Sequence, residues 1–160
     1  MSNRRRSVVA LLGVAALLAA VLVSATSAGA AAPGDVRIDL FPTQFSPQEI
    51  GNWQATGAIN DSGSYVLTQG RFTQPGQDFC NPLHTTAFFE LFTLTSSQGT
   101  LTVKDEELQV PNGAPCPPST GVWQIVSGTG AYAGLQGHGT SQFFPTPVFD
   151  LALTGVVVAQ

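Results

Sequence analysis

Few side chains in this 160-residue chain could carry acid–base or metal chemistry. His84 and His138 are its only histidines, and a zinc site would need both of them together with a carboxylate. Their spacing matches no metal-binding motif, so we expect each to lie on the surface or in a turn. No Gly-x-Ser-x-Gly segment marks a nucleophilic serine. The sequence therefore predicts no metal site and no cofactor, and it favours a protein that is not an enzyme.

Glu90 is the one acidic residue embedded in an apolar strand, between Phe89 and Leu91. If the strand face that it shares with Phe88 and Phe92 lines the interior, Glu90 is a buried carboxylate with a raised pKa. If the opposite face points inward, Glu90 is solvated. Both faces are apolar, and we favour the solvated orientation because carboxylates are seldom buried. Glu90 is nevertheless the best candidate for a polar group in a cavity, or for a catalytic acid.

Three consecutive acids, Asp105, Glu106 and Glu107, interrupt the alternation of the strand predicted from residue 100. Such a charged break favours a β-bulge or the end of the strand. A run of like charges is usually a solvated surface turn, and we expect that here. A calcium site would need further oxygen ligands at loop spacing, and the sequence offers none.

Cys80 and Cys116 are the only cysteines. Neither has a second ligand at the spacing of a zinc motif. Two cysteines in an exported chain most often pair, so we predict a disulfide between them.

The N-terminal segment has the layout of an export signal. Three arginines at positions 4–6 precede an apolar run over residues 8–23, and a small-residue cleavage pattern ends at Ala30. This order of charged, apolar and small residues predicts a secretory signal peptide over residues 1–30, cut after Ala30 or Ala32. The alternative is an uncleaved membrane anchor, for which the apolar run is short. We therefore expect a secreted, extracellular protein, exported by a bacterium.

Residues 31–160 then form one domain with a strongly acidic balance. Three cations, Arg37, Arg71 and Lys104, stand against ten Asp and Glu residues, which gives a formal charge of −7. Nucleic-acid binding requires clustered Lys and Arg, so this class of partner is excluded. Stable association with an anionic membrane surface after cleavage is disfavoured for the same reason.

The domain reads as a series of short apolar-alternating runs separated by turns. Eight or nine strands are expected, including short ones over residues 131–135 and 139–144, and no long helix. Residues 43–52 could hold one helical turn. In the last strand, Leu151, Leu153 and Val157 share the predicted core face. Regular spacing with short connections favours an antiparallel meander, closed as a barrel or folded as a sandwich.

The aromatic residues Trp53, Tyr65, Trp123 and Tyr132 are expected to serve core or turn packing. Exposure of several of them on one face would instead indicate a carbohydrate-binding surface.

One glycine-rich stretch resembles a known superfamily. Residues 128–140 read GTGAYAGLQGHGT, and they follow the strand at 99–103 and precede the strand at 149–155. This arrangement resembles the Gly-Thr-Gly-aromatic turn of the allene oxide cyclase and dirigent-like barrels. The resemblance implies a single antiparallel eight-stranded, calycin-like β-barrel, often with a cavity for an apolar small molecule. It also points to the bacterial exported members of that superfamily, whose function is unassigned.

Three functions agree with these features. The first is a barrel that binds a small apolar ligand. The second is a surface or interaction protein with a solid barrel core, and the third is an isomerase of the allene oxide cyclase type that uses Glu90.

Overall fold

The computed structural model describes residues 32–72, 80, 82–145 and 149–159. The signal peptide expected over residues 1–30 lies outside this part of the chain. The described residues form eight strands: β1 (Gly34–Gln44), β2 (Ile50–Gly57), β3 (Asp61–Phe72), β4 (Thr86–Ser96), β5 (Gly99–Gln109), β6 (Ser119–Gly128), β7 (Leu135–Phe144) and β8 (Asp150–Ala159).

Each strand pairs antiparallel with the next one in the chain, and β8 pairs with β1. The sheet is therefore a closed up-and-down barrel without free edges. The predicted all-β, eight-stranded antiparallel barrel is confirmed, and the sandwich alternative is wrong.

Side-chain alternation fills the barrel. Along β8, Leu151, Leu153 and Val157 are buried as predicted. On β4 the inward face carries Phe88 and Phe92, both almost completely buried. Because successive residues of a strand point to opposite sides, each strand contributes one row to the interior.

The two ends of the barrel are built differently. We call the end that holds the β2–β3, β4–β5 and β6–β7 connections the closed end, and the other the cavity end. The closed end is packed with apolar side chains: Val36, Ala55, Ile59, Leu94, Leu101, Tyr132 and Val157. Above them, the Tyr132 hydroxyl donates to Asp61 and lies 3.2 Å from Ser96 Oγ.

Two tryptophans link strands across the barrel interior by hydrogen bonds. Trp53 lies opposite Gly63 of β3, and its indole N–H donates to the carbonyl of Thr95 in β4 at 3.2 Å. A Cβ atom at Gly63 would lie 2.9 Å from the indole nitrogen, so this contact requires glycine. Trp123 repeats the arrangement opposite a glycine of β7 and donates to the carbonyl of Thr154 in β8 at 3.1 Å. All four expected packing aromatics are buried, which confirms that prediction.

Two short segments differ from the sequence-based expectation. The separate strand expected over residues 131–135 is absent, because a 3₁₀ turn occupies Gly130–Tyr132 and β7 begins only at Leu135. Gly130 has a φ of +61°, which is the left-handed conformation that glycine adopts readily. Residues 43–52 hold no helical turn either, since β1 extends to Gln44 and β2 begins at Ile50.

Candidate functional site

The barrel is hollow at the cavity end. A cavity of about 470 Å³ lies beneath the β1–β2 connection. Most of its wall is apolar and aromatic: Pro42, Phe45, Pro47, Leu67, Phe88, Phe92, Phe143 and Leu151. Its polar lining comes from Gln48, Glu49, Tyr65, Thr68, Gln69, Glu90 and Glu107. The surface-protein alternative assumed a solid barrel core, and this end of the barrel is not solid.

The β1–β2 connection is held over the cavity by its own contacts. The Gln48 side chain donates to the carbonyl of Leu67 at 3.1 Å, and the Leu67 amide donates to the carbonyl of Glu49 at 3.0 Å. At the rim, the rings of Phe45 and Phe149 meet edge to face with centroids 5.3 Å apart. These bonds fix where the Glu49 side chain enters the cavity.

Glu90 lies on the inward face of β4 and lines the cavity. The favoured solvated orientation is therefore wrong. The reason lies in the neighbouring rows, because Phe88 and Phe92 are needed to fill the interior, whereas the partly exposed Phe89 and Leu91 cover the outside. Burial raises the pKa of Glu90 well above its usual range.

Two acids of the triplet, Asp105 and Glu107, also face the interior, so the solvated surface turn expected for the triplet is wrong at these positions. Strand β5 continues through it in unbroken register with β4, so the expected bulge or strand end is wrong. Asp105 is only 1% exposed and Glu107 only 6%, while Glu106 between them faces outward. The alternation that places Leu101 and Val103 in the core thus continues, with carboxylates in the inward row. Sequence reasoning missed both groups, because three charges in succession hide a period of two.

Several carboxylate oxygens of this row have no hydrogen-bond partner within the described part of the chain. Ser119 donates to Glu107 Oε2 at 2.5 Å, but the buried Glu107 Oε1 accepts nothing. Both oxygens of Asp105 are also unsatisfied, as is the nearby Ser141 hydroxyl.

Burial raises the pKa values of Glu49, Glu90, Asp105 and Glu107, and repulsion from neighbouring carboxylates adds to this effect at Glu90 and Asp105. Burial, with the charge of Glu107 as a further cause, raises the pKa of Asp105 to about 8. Burial also raises the pKa of Glu107, against a lowering contribution from Ser119. At Glu49, burial raises the pKa, and the Tyr65 hydroxyl, which donates to Glu49 Oε1 at 2.8 Å, offsets part of that effect. For Glu90, the charges of Glu49, Asp105 and Glu107 add to burial.

The described cationic side chains lie on the outside of the barrel and form ion pairs there. Arg37 binds Asp39, and Lys104 binds Glu106. Within the described ranges, no group of three or more His, Cys, Asp or Glu side chains is arranged to hold a metal ion. His84 and His138 are both exposed, as expected.

Cys80 and Cys116 form a disulfide, which confirms that prediction. It joins the connections that follow β3 and β5, both at the cavity end. In the described residues, no helix has the length and apolar character needed to cross a membrane.

Comparison of the chain with protein-family models, with curated proteins and with solved structures finds no match. The resemblance to the allene oxide cyclase and dirigent-like barrels stays a prediction.

Proposed function

We propose that this protein is an exported binding protein that holds a small, mainly apolar ligand in the cavity of its barrel. The observation that carries the proposal is the cavity of about 470 Å³ with its aromatic wall. Cavities that take drug-sized ligands measure roughly 300–1,000 Å³ and are mainly apolar, with a few polar groups that fix orientation. This cavity has the size and the composition of such a site.

The closed end of the same barrel supports this interpretation. Protein interiors are normally close-packed, with few voids larger than a water molecule. The closed end meets that standard, with Leu94 and Leu101 fully buried. The sequence is thus able to fill the barrel with side chains, and it does so at one end only.

Export is supported by two features of the chain. The disulfide between Cys80 and Cys116 is typical of proteins that work in an oxidising compartment. The N-terminal segment has the layout of a secretory signal.

The neutral dye Nile red tests the proposal, because its fluorescence rises in an apolar site. We expect saturable binding to the mature protein. The Leu67→Trp variant fills the cavity and should weaken binding by about tenfold or more. Its matched control is Val126→Trp, at a residue 55% exposed on the outside of β6, which should bind as the wild type does. Equal binding by both variants would show that the dye binds elsewhere and would refute the proposal.

An isomerase is the second candidate. The observation that favours it is a carboxyl group of raised pKa, Glu90, in an apolar cavity beside the Tyr65 hydroxyl. General acid–base catalysis uses carboxyl groups tuned in this way. Turnover of any cavity ligand that is lost in Glu90→Gln, with ligand affinity retained, would support catalysis over binding alone.

A further inference from the structure

We propose that the ligand is an amphipathic amine, whose ammonium group binds to Glu49, Glu90 and Glu107 while its apolar part contacts the phenylalanine wall. This inference rests on the proposed binding function and names the chemical class of its ligand.

The carboxylates converge on the cavity from three elements. Glu49 enters from the β1–β2 connection, Glu90 from β4 and Glu107 from β5, and all three line the cavity. Asp105 lies directly opposite Glu90 in the β4–β5 register, one inward position deeper than Glu107. A positive charge held by the first three carboxylates would therefore also be close to the fourth.

Among the described residues, buried carboxylate oxygens at this end lack a hydrogen-bond donor. Glu107 is almost completely buried, and its Oε1 has no partner among the described residues. The hydroxyls of Tyr65 and Ser119 each supply one donor, to Glu49 and Glu107. A buried acceptor without a partner costs about 1–3 kcal/mol, and more when it is charged. An ammonium group brings three donors and no acceptor, so it complements this set.

Among the described side chains, the charges that face the cavity have one sign. Besides the carboxylates, the polar side chains described around the cavity carry no positive charge at neutral pH: Gln48 from the β1–β2 connection, Tyr65, Thr68 and Gln69 from β3, Ser119 from β6 and Ser141 from β7. Arg37 and Lys104 are engaged outside by Asp39 and Glu106. An anionic ligand would add repulsion to this site, whereas a cation would relieve it.

The remaining wall explains why the cation should be organic. Phe45, Phe88, Phe92 and Phe143 present apolar rings to the cavity. Burying the hydrocarbon part of a ligand against these rings is favourable because it removes apolar surface from water, and the ring faces also attract an ammonium group. A hydrated metal ion would use neither contribution.

Three naphthalene compounds that differ in one group test the inference by calorimetry and by displacement of Nile red. 1-Naphthylmethylamine is a cation at neutral pH, 1-naphthalenemethanol is neutral, and 1-naphthoic acid is an anion. We expect the amine to bind at least about tenfold more tightly than the alcohol, and the acid more weakly than both. Equal affinity for amine and alcohol, or tighter binding of the acid, would overturn the inference.

Adjacent residues of β5 provide matched variants. Glu107→Gln removes an inward charge and should reduce amine affinity by about tenfold, with the alcohol changed by less than about twofold. Glu106→Gln makes the same substitution on the outward side and should change neither. If the two variants lost amine affinity equally, net charge rather than the cavity would attract the amine.

Proton release provides a measurement on the unaltered protein. A bound cation lowers the pKa of the neighbouring carboxyl groups, so amine binding should release protons near pH 7. The binding enthalpy should then depend on the ionisation enthalpy of the buffer, and amine affinity should rise between about pH 5 and pH 8. Affinity that falls over this range would indicate that protonated carboxyl groups donate to a neutral ligand, and would overturn the inference.

The two failures are distinguishable. If Nile red and the alcohol bind in the cavity but the amine binds no better, only the amine inference fails. If neither Nile red nor any of the three naphthalenes binds, the proposed binding function fails with it.

Discussion

The closed end and the cavity end of this barrel are built from the same eight strands, yet they bury opposite kinds of side chain. Strand β5 passes through both. At the closed end it contributes Leu101 and Val103 to the interior, and at the cavity end Asp105 and Glu107. All four are nearly inaccessible to water, so burial alone does not distinguish the two ends. What differs is the sign of the contribution to stability, because apolar groups gain by burial and carboxylates lose.

This difference separates stability from function within one sheet. The closed end is packed with apolar side chains, and two tryptophans nearer the middle of the barrel donate to carbonyl groups of other strands. The cavity end holds unsatisfied acceptors and like charges side by side. Natural proteins accept such destabilising features mainly at functional sites, and other parts of the fold must offset them.

The largest expected effect is the pH dependence of stability caused by Asp105. Its pKa is raised to about 8 in the folded protein, so the folded state holds a proton that the unfolded state releases above about pH 4. Stability should therefore fall as pH rises from about 4 to about 8. Since one pKa unit corresponds to about 1.4 kcal/mol, the loss from this group is on the order of 5 kcal/mol. Asp105→Asn should stabilise the protein at pH 8 and change little at pH 4, as measured by urea unfolding.

Asp35→Asn, at an exposed position of β1, is the matched control and should change stability little at either pH. A wild-type protein whose free energy of unfolding rises steadily between pH 4 and pH 8 would contradict the proposed origin of this cost. The difference drawn between the two ends would then lose its main support.

A pair of leucines measures the packing of the two ends directly. Leu101 is fully buried at the closed end, whereas Leu67 is partly buried and borders the cavity. Leu101→Ala should cost about 4 kcal/mol in the free energy of unfolding, because it creates a new void in a packed core. Leu67→Ala only enlarges an existing cavity, so we expect a cost of about 1.5 kcal/mol.

Both variants should be unfolded with urea at pH 5. Asp105 is protonated at that pH, so its charge does not affect the comparison. Equal losses of stability would mean that the two ends are packed alike. Loss of Nile red binding in Leu101→Ala, with the fold retained, would show that the closed end also shapes the ligand site.

Much of the fold could be predicted from the sequence, because strand formation leaves a local signal. The period of two along β8 correctly placed Leu151, Leu153 and Val157 in the core. The turn clusters between the apolar runs correctly predicted an antiparallel meander. The short strand predicted over residues 131–135 is wrong, since the three residues of the 3₁₀ turn at Gly130–Tyr132 are too few to show any period.

The site was predicted less well, and the reason is physical. The orientation of Glu90 depends on which face of β4 points into the barrel, and both faces carry phenylalanine. For Asp105 and Glu107, the sequence predicts a solvated surface turn, because a run of like charges usually lies on the surface. Only the closed sheet shows that Glu90, Asp105 and Glu107 lie on adjacent inward rows, since this proximity depends on the β4–β5 register.

The smallest expected effect concerns two tyrosines that make the same bond at opposite ends. At the closed end, Tyr132 donates to Asp61, and bonds from Ser96 and Tyr132 lower the pKa of that carboxyl group. A lowered pKa stabilises the fold above about pH 4, and this contribution disappears as the pH falls through the folded-state pKa. Tyr132→Phe should therefore lower the Tm by a few degrees at pH 7 and by less in acid, without changing ligand binding.

At the cavity end, Tyr65 donates to Glu49, and that bond keeps the pKa of Glu49 from rising further. Tyr65→Phe should leave Glu49 more protonated at neutral pH, so the affinity for 1-naphthylmethylamine should fall severalfold while the affinity for the alcohol is retained. Raising the pH should restore part of the lost amine affinity, because Glu49 then ionises without its donor. A purely structural Tyr65 would lower the Tm but leave the ratio of amine to alcohol affinity unchanged at every pH. If Tyr132→Phe altered that ratio as much as Tyr65→Phe does, the closed end would contribute to ligand choice, and the separation of stability from function along the barrel would be wrong.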